Sequence, residues 1–245
     1  MASPSVMKST RKLRVLAIDV GGSHVKTRVS TRRQIRQFES GPDLTASQMV
    51  KRVHRLTGDW IYDVVSIGYP GVVMHNKVLI EPHHLGGGWV GFDFRRAFGR
   101  PTRIMNDAVM QAIGTYEGGR MLFLGLGTGL GSALIIDGIV APMELAHLPF
   151  KKGRAYEYYA GEAGRRRLGA NKWSKIVGEI VKRFSTALEA DYVVIGGGNA
   201  RKLRRLPKIA RLGNNDFAFI GGFRVWQTAP RTMARRGRNP LIAVI

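Results

Sequence analysis

The feature that most constrains the fold of this chain is a strand–turn–strand pattern in residues 15–29. Its first run is almost wholly apolar, which is typical of a buried strand, and it carries the carboxylate of Asp19 near its end. The Gly21-Gly22 pair predicts a tight turn, and because glycine lacks a Cβ atom, the amides of this turn can approach an anion closely. Ser23 and Lys26 add a hydroxyl group and a cation on the return strand. The pattern therefore predicts a hairpin that is either an ordinary charged turn or a loop that binds phosphate.

A second stretch, residues 121–136, has the same organisation. Two apolar runs flank a glycine-rich turn that contains Gly127, Thr128, Gly129 and Gly131. A pattern that occurs twice in one chain suggests a duplicated architecture. We therefore expect two similar halves, each opened by a hairpin and each holding one end of a phosphate chain in a cleft between them.

The net charge of the chain is strongly positive. Lys and Arg total 39 against 17 for Asp and Glu, which gives a formal net charge of +22 over 245 residues. This excess favours a polyanionic partner such as nucleic acid, an anionic surface or a polyphosphate-like substrate, although a generally basic protein would show it too. The basic clusters at residues 151–154, 165–167 and 201–205 are either solvated faces or a path for an anionic chain.

The remaining composition excludes several classes of protein. The chain has no cysteine, which excludes disulfides and cysteine-bound zinc. Hydrophobic residues make up 44% of the chain, which is enough for a real core. No apolar run reaches the length of a membrane span, and residues 1–14 lack the apolar core of a signal peptide. We therefore expect a cytoplasmic protein without a membrane partner.

Turn signals and apolar periodicity divide the chain into four parts. We expect a flexible basic tail at residues 1–11, a first domain at 12–117, a second domain at 118–226 and a basic tail without an assigned role at 227–245. Further strands are expected at 34–40, 64–68, 102–105, 139–140 and 192–195, with a hairpin at 72–80. Helices are expected after a capping box at Thr45 and at 94–98, 108–117, 156–168, 172–188 and 216–226.

Two polar residues stand where a strand meets a helix. Asn106 and Asp107 follow an apolar run and precede a helical pattern, which is a frequent catalytic position in α/β folds. Taken alone, Asp107 could equally cap the helix that follows it. A third glycine turn, with Gly197 and Gly198, follows a later apolar strand. The glycine turns and the Asn-Asp pair thus form an ordered set along the chain.

The order of the motifs is more specific than any one of them. It reads Asp-x-Gly-Gly-Ser, Asn-Asp, Gly-x-Gly-Thr-Gly-x-Gly-Ser, Glu-x-x-His and Gly-Gly-Gly, within residues 14–226. In this order the chain resembles the ROK sugar kinases of the actin-like ATPase superfamily, and among them the polyphosphate glucokinases. The resemblance implies an α/β protein with the actin-like ATPase (ribonuclease H-like) fold, in which two similar domains enclose a cleft. It also implies a homodimer.

The resemblance implies a role for each motif residue. Asp107 matches the catalytic general base, and Asp19 would hold Mg²⁺ directly or through water. The sugar-binding residues would be Pro70, Gly71, Asn106, Asp107, Glu144, His147 and Glu157. The phosphate-binding residues would be Asp19, Gly21, Gly22, Ser23, Lys26, Gly127, Thr128, Gly129, Gly131, Gly197 and Gly198.

The activity implied by the resemblance is transfer of a phosphoryl group from polyphosphate or ATP to the 6-hydroxyl group of glucose, with Mg²⁺ as cofactor. Two alternatives stay open. One is an ATP-dependent kinase for another hexose, such as mannose, fructose or an amino sugar. The other is a non-catalytic relative that binds a sugar or a polyanion. No specific nucleic-acid partner is expected.

Three positions depart from the family pattern. Ala146 replaces the glycine of the Glu-x-Gly-His motif, and its methyl group could shift His147. His84 stands where asparagine is expected, which bears on sugar preference, and Val109 stands where many relatives have a polar residue. His83 and His84 are adjacent but have no third metal ligand spaced nearby, so no metal site is expected there.

Overall fold

The computed structural model describes residues 11–214 and 216–227, together with the backbone of the short strand Ala243–Val244. The tail expected at residues 1–11 lies outside the described residues except for Arg11, and so does most of the tail expected at 227–245. No helix in the described ranges is long and apolar enough to cross a bilayer.

The strands of the first half confirm the hairpin predicted at residues 15–29. They are β1 (Val15–Val20), β2 (His24–Val29), β3 (Arg36–Glu39), β4 (Val64–Tyr69), β5 (Val73–Met74), β6 (Lys77–Val78) and β7 (Thr102–Asn106). Five of them form a sheet in the order β3-β2-β1-β4-β7, in which β1, β2 and β3 are antiparallel and β4 and β7 run parallel to β1. The remaining two, β5 and β6, form the small hairpin predicted at residues 72–80.

The strands of the second half confirm the hairpin predicted at residues 121–136. They are β8 (Arg120–Leu126), β9 (Leu130–Ile136), β10 (Ile139–Met143), β11 (Pro149–Lys151), β12 (Arg154–Ala155), β13 (Tyr192–Gly196), β14 (Ala210–Leu212) and β15 (Ala243–Val244). The larger sheet has the order β14-β13-β8-β9-β10-β15, and β11 pairs with β12 in a separate hairpin.

The two sheets share one topology. In each, a meander of three antiparallel strands is followed by two strands that lie parallel to the first strand of the meander. This confirms the duplication that the repeated hairpin predicted. The second sheet adds β15, which lies parallel to the edge strand β10. The sequence did not predict β11, β12, β14 or β15, because runs of two or three residues are too short to show a period.

The helices largely follow the expected ranges. They are α1 (Ala46–Leu56), α2 (Phe94–Phe98), α3 (Asp107–Thr115), α4 (Tyr156–Ala160), α5 (Glu162–Ala187) and α6 (Phe217–Arg224). Thr45 and Gln48 form the predicted capping box at the start of α1. Gly169 has a φ of 72° inside α5, so the backbone breaks where the sequence predicts two separate helices.

The last helix, α6, packs back onto the first sheet and against α3. Ser66 in β4 donates a hydrogen bond from Oγ to the carbonyl oxygen of Gly222 (2.6 Å) and accepts one from Nε1 of Trp226 (2.8 Å). A Cβ atom on Gly222 would lie 2.8 Å from that of Ala17, so the contact requires a glycine. Since alternate residues of β1 face opposite sides, Leu16 and the other core residues of β1 face α1 and α2. The first sheet therefore lies between α6 on one side and α1 with α2 on the other.

Candidate active site

Asp107 is the first residue of α3, immediately after the end of β7. The N-cap of α3 is Asn106, whose Oδ1 accepts hydrogen bonds from the backbone N–H groups of Ala108 (2.8 Å) and Val109 (3.3 Å). The amide group of Asn106 also donates to the carbonyl oxygen of Gly71 (3.1 Å). Because Asn106 caps the helix, Asp107 is not needed for that role. Asp107 as a whole residue is half-buried.

The environment of Asp107 favours the neutral carboxyl group. Burial is the largest cause, the charge of Asp19 adds to it, and the charge of Glu144 makes a smaller contribution. Hydrogen bonds from the backbone of Asp107 and Ala108 oppose these effects, and the net result raises the pKa of Asp107 to about 7. A carboxylate with this pKa can accept a proton and release it near neutral pH, which is the property of a general base.

The first glycine loop lies beside Asp19. Asp19 and Lys26 are directly opposite each other in the β1–β2 pairing, and the charge of Lys26 lowers the pKa of Asp19 while burial raises it more strongly. The loop is held by a hydrogen bond from the hydroxyl group of Ser40 to the carbonyl oxygen of Gly21 (2.6 Å). The structure thus brings Asp19, Lys26 and the Gly21–Ser23 turn together.

The second glycine loop packs against the helix that carries Asp107. A Cβ atom on Gly131 would lie 2.8 Å from the Cβ atom of Ala108, so glycine permits this close approach. Gly129 leaves no room for a side chain next to the carboxylate of Glu157. The backbone N–H of Glu162 donates to the carbonyl oxygens of Gly127 and Thr128 (both 3.1 Å), which fixes the loop to the start of α5.

The third glycine turn joins the second loop. Gly197 has a φ of 82° and packs closely on Leu126. Asn199 is buried and donates from Nδ2 to the carbonyl oxygen of Gly127 (3.0 Å), and its Oδ1 accepts from Nζ of Lys202 (2.7 Å). The resemblance places Asn199 in the loop at residues 196–199 at the far end of the donor, although the predicted phosphate-binding residues of this turn are Gly197 and Gly198 alone. Its role depends on a contact across 72 residues.

Several of the polar residues predicted for sugar binding lie close to one another and to Asp107. Glu144 lies 3.6 Å from His147, measured from Oε2 to Nε2. Burial raises the pKa of Glu144, His147 lowers it, and the charge of Glu157 raises it again. Glu157 also accepts a hydrogen bond at Oε2 from the backbone N–H of Leu130 (3.4 Å). These carboxylates therefore interact with one another and, through Glu144, with Asp107.

A loop at residues 81–90 carries His84 and is shaped by hydrogen bonds to Glu81. The carboxylate of Glu81 accepts hydrogen bonds from the backbone N–H groups of Trp89 (3.1 Å) and Val90 (3.1 Å). The loop brings His84 next to the first glycine loop, since a Cβ atom on Gly22 would lie 3.5 Å from the Cβ atom of His84. Glu81 was not predicted, because a lone carboxylate before a proline has no pattern that marks it. The structure shows that it holds the shape of the loop.

The other two departures from the family pattern are accommodated by the cores. Ala146 is buried in the core of the second sheet, and Val109 is buried where α3 meets α6. The side chain of Val109 therefore contributes to packing. The methyl group of Ala146 is likewise part of a core, and His147 remains exposed beside Glu144.

The chemistry of Asp19 fits a magnesium ion. Within the described ranges, no hydrogen bond reaches the Asp19 carboxylate, and no group of three or more His, Cys, Asp or Glu side chains is arranged to hold a metal ion. Mg²⁺ is usually bound through one or two carboxylates together with water and substrate phosphates. Asp19, whose carboxylate accepts no hydrogen bond within the described residues, provides one such carboxylate.

The two sheets have the same topology, and each carries a glycine hairpin. The carboxylate of Asp107 stands at the end of strand β7. This arrangement is the actin-like ATPase fold. The chain belongs to the ROK family, whose model matches residues 15–142, slightly more than half of its length.

Comparisons with individual proteins agree with this assignment. The chain is 26% identical over 208 residues to a polyphosphate glucokinase of Mycobacterium tuberculosis, an alignment that covers 76% of this chain and 77% of that protein. Its structure is similar to that of an inorganic polyphosphate/ATP-glucomannokinase from Arthrobacter sp. strain KM, with a TM-score of 0.75, 21% identity and coverage of 86% and 97%. It is also similar to a ROK family glucokinase from Streptomyces griseus solved with glucose and AMPPNP, with a TM-score of 0.65, 16% identity and coverage of 86% and 98%.

Proposed function

We propose that this protein is a sugar kinase that transfers a phosphoryl group from polyphosphate or ATP to the 6-hydroxyl group of glucose. The observation that carries the proposal is Asp107, a carboxylate at the cleft whose pKa is about 7 and which is not needed to cap its helix. The two glycine loops support a phosphate donor, and the polar cluster around Glu144, which contacts the second loop through Glu157, supports a polyhydroxylated acceptor. The similarity to polyphosphate glucokinases supports the same assignment.

In this mechanism Asp107 accepts the proton of the sugar hydroxyl group as the oxygen attacks the terminal phosphorus of the donor. A new oxygen–phosphorus bond forms, the bond to the remaining donor phosphate breaks, and that phosphate leaves with the electron pair. The amides of the glycine loops and the cation of Lys26 stabilise the negative charge. Asp19 would hold Mg²⁺, directly or through water, and a bound magnesium ion supplies charge neutralisation to the donor phosphates.

The residues around the second loop support a donor with several phosphates. Arg165, Arg166 and Lys202 surround Glu162, at distances of 2.7, 2.9 and 4.0 Å, next to the loop that Glu162 fixes. These three cations outnumber the two carboxylates at the loop, Glu162 and Glu157, and leave a net positive charge at this end of the cleft. A polyphosphate chain, which carries a charge on each unit, would gain more from it than a nucleotide would. We propose polyphosphate as the preferred donor for this reason.

A second acceptor is favoured by one position. His84 lies at the cleft beside Gly22, where the family pattern leads us to expect asparagine. A different side chain near the sugar changes the hydrogen bonds available to its hydroxyl groups. Mannose, fructose or an amino sugar is therefore the alternative acceptor. A homodimer remains our proposal for the assembly, and light scattering of the purified protein would test it.

The experiment that tests the function is a matrix of donors and sugars. Purified protein would be assayed for sugar phosphate with ATP and with polyphosphate, each against glucose, mannose, fructose and glucosamine. The variant that tests the base is Asp107→Asn, and its matched control is Asp137→Asn. Asp137 is an exposed turn residue with a φ of 48°, which asparagine also adopts. We expect product with glucose, full activity in Asp137→Asn and almost none in Asp107→Asn. No sugar phosphate with any pair would favour the non-catalytic sugar- or polyanion-binding alternative.

A further inference from the structure

One group of exposed cations without carboxylate partners in the described part of the chain lies on α1, on α2 and in the turn after α2, away from the cleft. The α1–α2 basic face consists of six exposed cations, Lys51, Arg52, Arg55, Arg95, Arg96 and Arg100. Within residues 11–214 and 216–227, none of the six forms an ion pair with a carboxylate. Three acids lie near these cations without forming an ion pair with them. Asp93 caps α2 by accepting a hydrogen bond from the backbone N–H of Arg96 (2.9 Å), and Asp59 is bound by Arg36. The third is Glu39, whose carbonyl oxygen accepts a hydrogen bond from Arg52 (3.2 Å).

The basic clusters of the second half differ in this respect. Lys151 and Arg183 bind Glu179, and Arg165 and Arg166 bind Glu162. Arg167 lies over the ring of Tyr158, with its Cζ atom 3.7 Å from the ring centre. Carboxylates therefore compensate part of the charge at residues 151–154 and 165–167, whereas Arg201, Arg204 and Arg205 form no ion pair within the described residues but lie in the segment that follows the third glycine turn. The α1–α2 basic face leaves its charge available to solvent and to ligands.

The two helices form one continuous surface. His54 in α1 contacts Phe98 in α2 with 5.3 Å between ring centres, and its Nε2 lies 3.2 Å from the carbonyl oxygen of Ala97. An open cavity of about 520 Å³ lies at α2 and its following turn, and it is lined by three arginines and one acid together with a glycine and a proline, namely Arg95, Arg96, Arg100, Asp93, Gly99 and Pro101. The side chains at 51 and 55 are four residues apart, so they stand on the same side of α1.

This surface is remote from Asp107. Pro101, which lines the cavity, comes just before the first residue of β7. Asn106 is the last residue of β7 and Asp107 follows it, and the two ends of this five-residue strand are about 13 Å apart. The helices α1 and α2 also cover the side of the first sheet opposite α6. A ligand on this face therefore cannot be the acceptor sugar or the reacting phosphate.

We propose that the α1–α2 basic face is a second binding site for long-chain inorganic polyphosphate, separate from the catalytic cleft. The inference rests on the proposed use of polyphosphate as donor. A chain held at both sites gains affinity through effective concentration, which a donor too short to span them cannot gain. The surface suits a ligand made only of phosphate, because none of the described Phe, Tyr or Trp residues around it is exposed to stack on bases.

The test compares two triple variants with the same change in charge. Arg95→Gln/Arg96→Gln/Arg100→Gln removes half of the α1–α2 basic face. Lys172→Gln/Lys175→Gln/Lys182→Gln removes three exposed cations from α5 and is the control. Binding of fluorescently labelled long-chain polyphosphate would be measured without sugar over a range of salt concentrations. Competition by tripolyphosphate and by single-stranded RNA, thermal unfolding of each variant and kinase activity with ATP complete the design.

We expect the arginine variant to bind long-chain polyphosphate about fivefold or more weakly. The slope of log affinity against log salt should fall by about 2, at roughly 0.7 for each phosphate that the variant no longer neutralises. Tripolyphosphate binding and activity with ATP should stay unchanged, and the α5 control should bind as the wild type does.

Two results would overturn this proposal, and a third would separate it from the proposed function. Equal losses in both variants would overturn the site, since they would reflect net charge alone. Single-stranded RNA that competes as well as polyphosphate, and depends on the same arginines, would overturn the choice of ligand. Loss of kinase activity with intact long-chain binding would contradict the proposed function and leave this site standing.

Discussion

The charge of Asp19 raises the pKa of Asp107, and the strand between β1 and β7 has a glycine, Gly68, at the aligned position. In the first sheet Asp19 is aligned with Gly68 of β4, and Gly68 is aligned with Met105 of β7, two residues before Asp107. A Cβ atom on Gly68 would lie 2.6 Å from Cε of Met110 and 3.5 Å from the Cα atom of Asp107, so the glycine lets the start of α3 pack closely on β4. This close packing keeps Asp107 near the strand pair that carries Asp19. The interaction of the two carboxyl groups, together with burial, sets the proton affinity of the proposed base.

The first prediction concerns turnover and its pH dependence. Because Asp107 must be ionised to accept a proton, kcat of the wild type should rise with pH and level off above an apparent pKa of about 7. Asp107→Asn should lose roughly two to four orders of magnitude in kcat and keep most of its sugar affinity. Steady-state kinetics from pH 5 to 9, roughly centred on that pKa, would measure both. Turnover near the wild-type level in this variant would rule out Asp107 as the base.

The second prediction is that the same substitution stabilises the protein at alkaline pH. The pKa of Asp107 in the folded protein lies above its ordinary value of 3.8, so the unfolded chain releases its proton first as the pH rises. The neutral carboxyl group of Asp107 contributes its full stabilisation below the unfolded pKa of 3.8, and this contribution is lost as the pH rises through the folded pKa of about 7. Asp107→Asn removes this loss, and Tm should rise by roughly 2–4 °C for each kcal/mol regained.

Thermal unfolding of the wild type and Asp107→Asn at several pH values measures this difference. The gain in stability should be large at pH values above the folded pKa. It should be small at and below the unfolded pKa, where the side chain at position 107 is neutral in the folded state of both proteins. Asp137→Asn, on an exposed turn, should show no such trend. A stability difference that is the same at every pH would show that ionisation of Asp107 is not its cause.

The third prediction separates the sugar site from the donor site. Glu144 and His147 lie together in the polar cluster beside Asp107. Removal of either side chain leaves hydrogen-bonding groups of the sugar without partners, at a cost of about 1–3 kcal/mol. Glu144→Ala and His147→Ala should therefore weaken glucose binding about five- to 150-fold and leave donor affinity nearly unchanged. Calorimetric titration with each ligand tests this, and unchanged glucose affinity in both variants would remove the cluster from the sugar site.

The sequence predicted the parts of the fold that local chemistry determines. The hairpins that carry Asp19 and Gly129 follow from apolar runs and glycine pairs, and the start of α1 follows from the capping box at Thr45. It did not predict the contact of Asn199 with Gly127, because residues far apart in the chain are joined only by the fold. It also did not predict that Arg165 is bound to Glu162 by an ion pair, since a basic run shows its charge but not its partners.

The last prediction concerns the crossing of α3 and α6. A Cβ atom on Gly221 of α6 would collide with the backbone carbonyl oxygen of Met110 in α3, and the same holds for Gly114 against Phe217. Gly221→Ala should therefore push the helices apart and cost about 1–3 kcal/mol in the free energy of unfolding. Because α3 begins at Asp107, the displacement should also lower kcat.

The matched control is Gly178→Ala, inside α5, where a Cβ atom would meet nothing within 4 Å. Replacing a helical glycine with alanine at an open position should stabilise the protein by up to about 1 kcal/mol, because it reduces the conformational entropy of the unfolded chain. Chemical denaturation and steady-state kinetics on both variants give opposite signs for stability and a loss of kcat in Gly221→Ala alone. If Gly221→Ala is as stable and active as Gly178→Ala, the two helices have room to separate without moving the base, and the close crossing does not fix the position of Asp107.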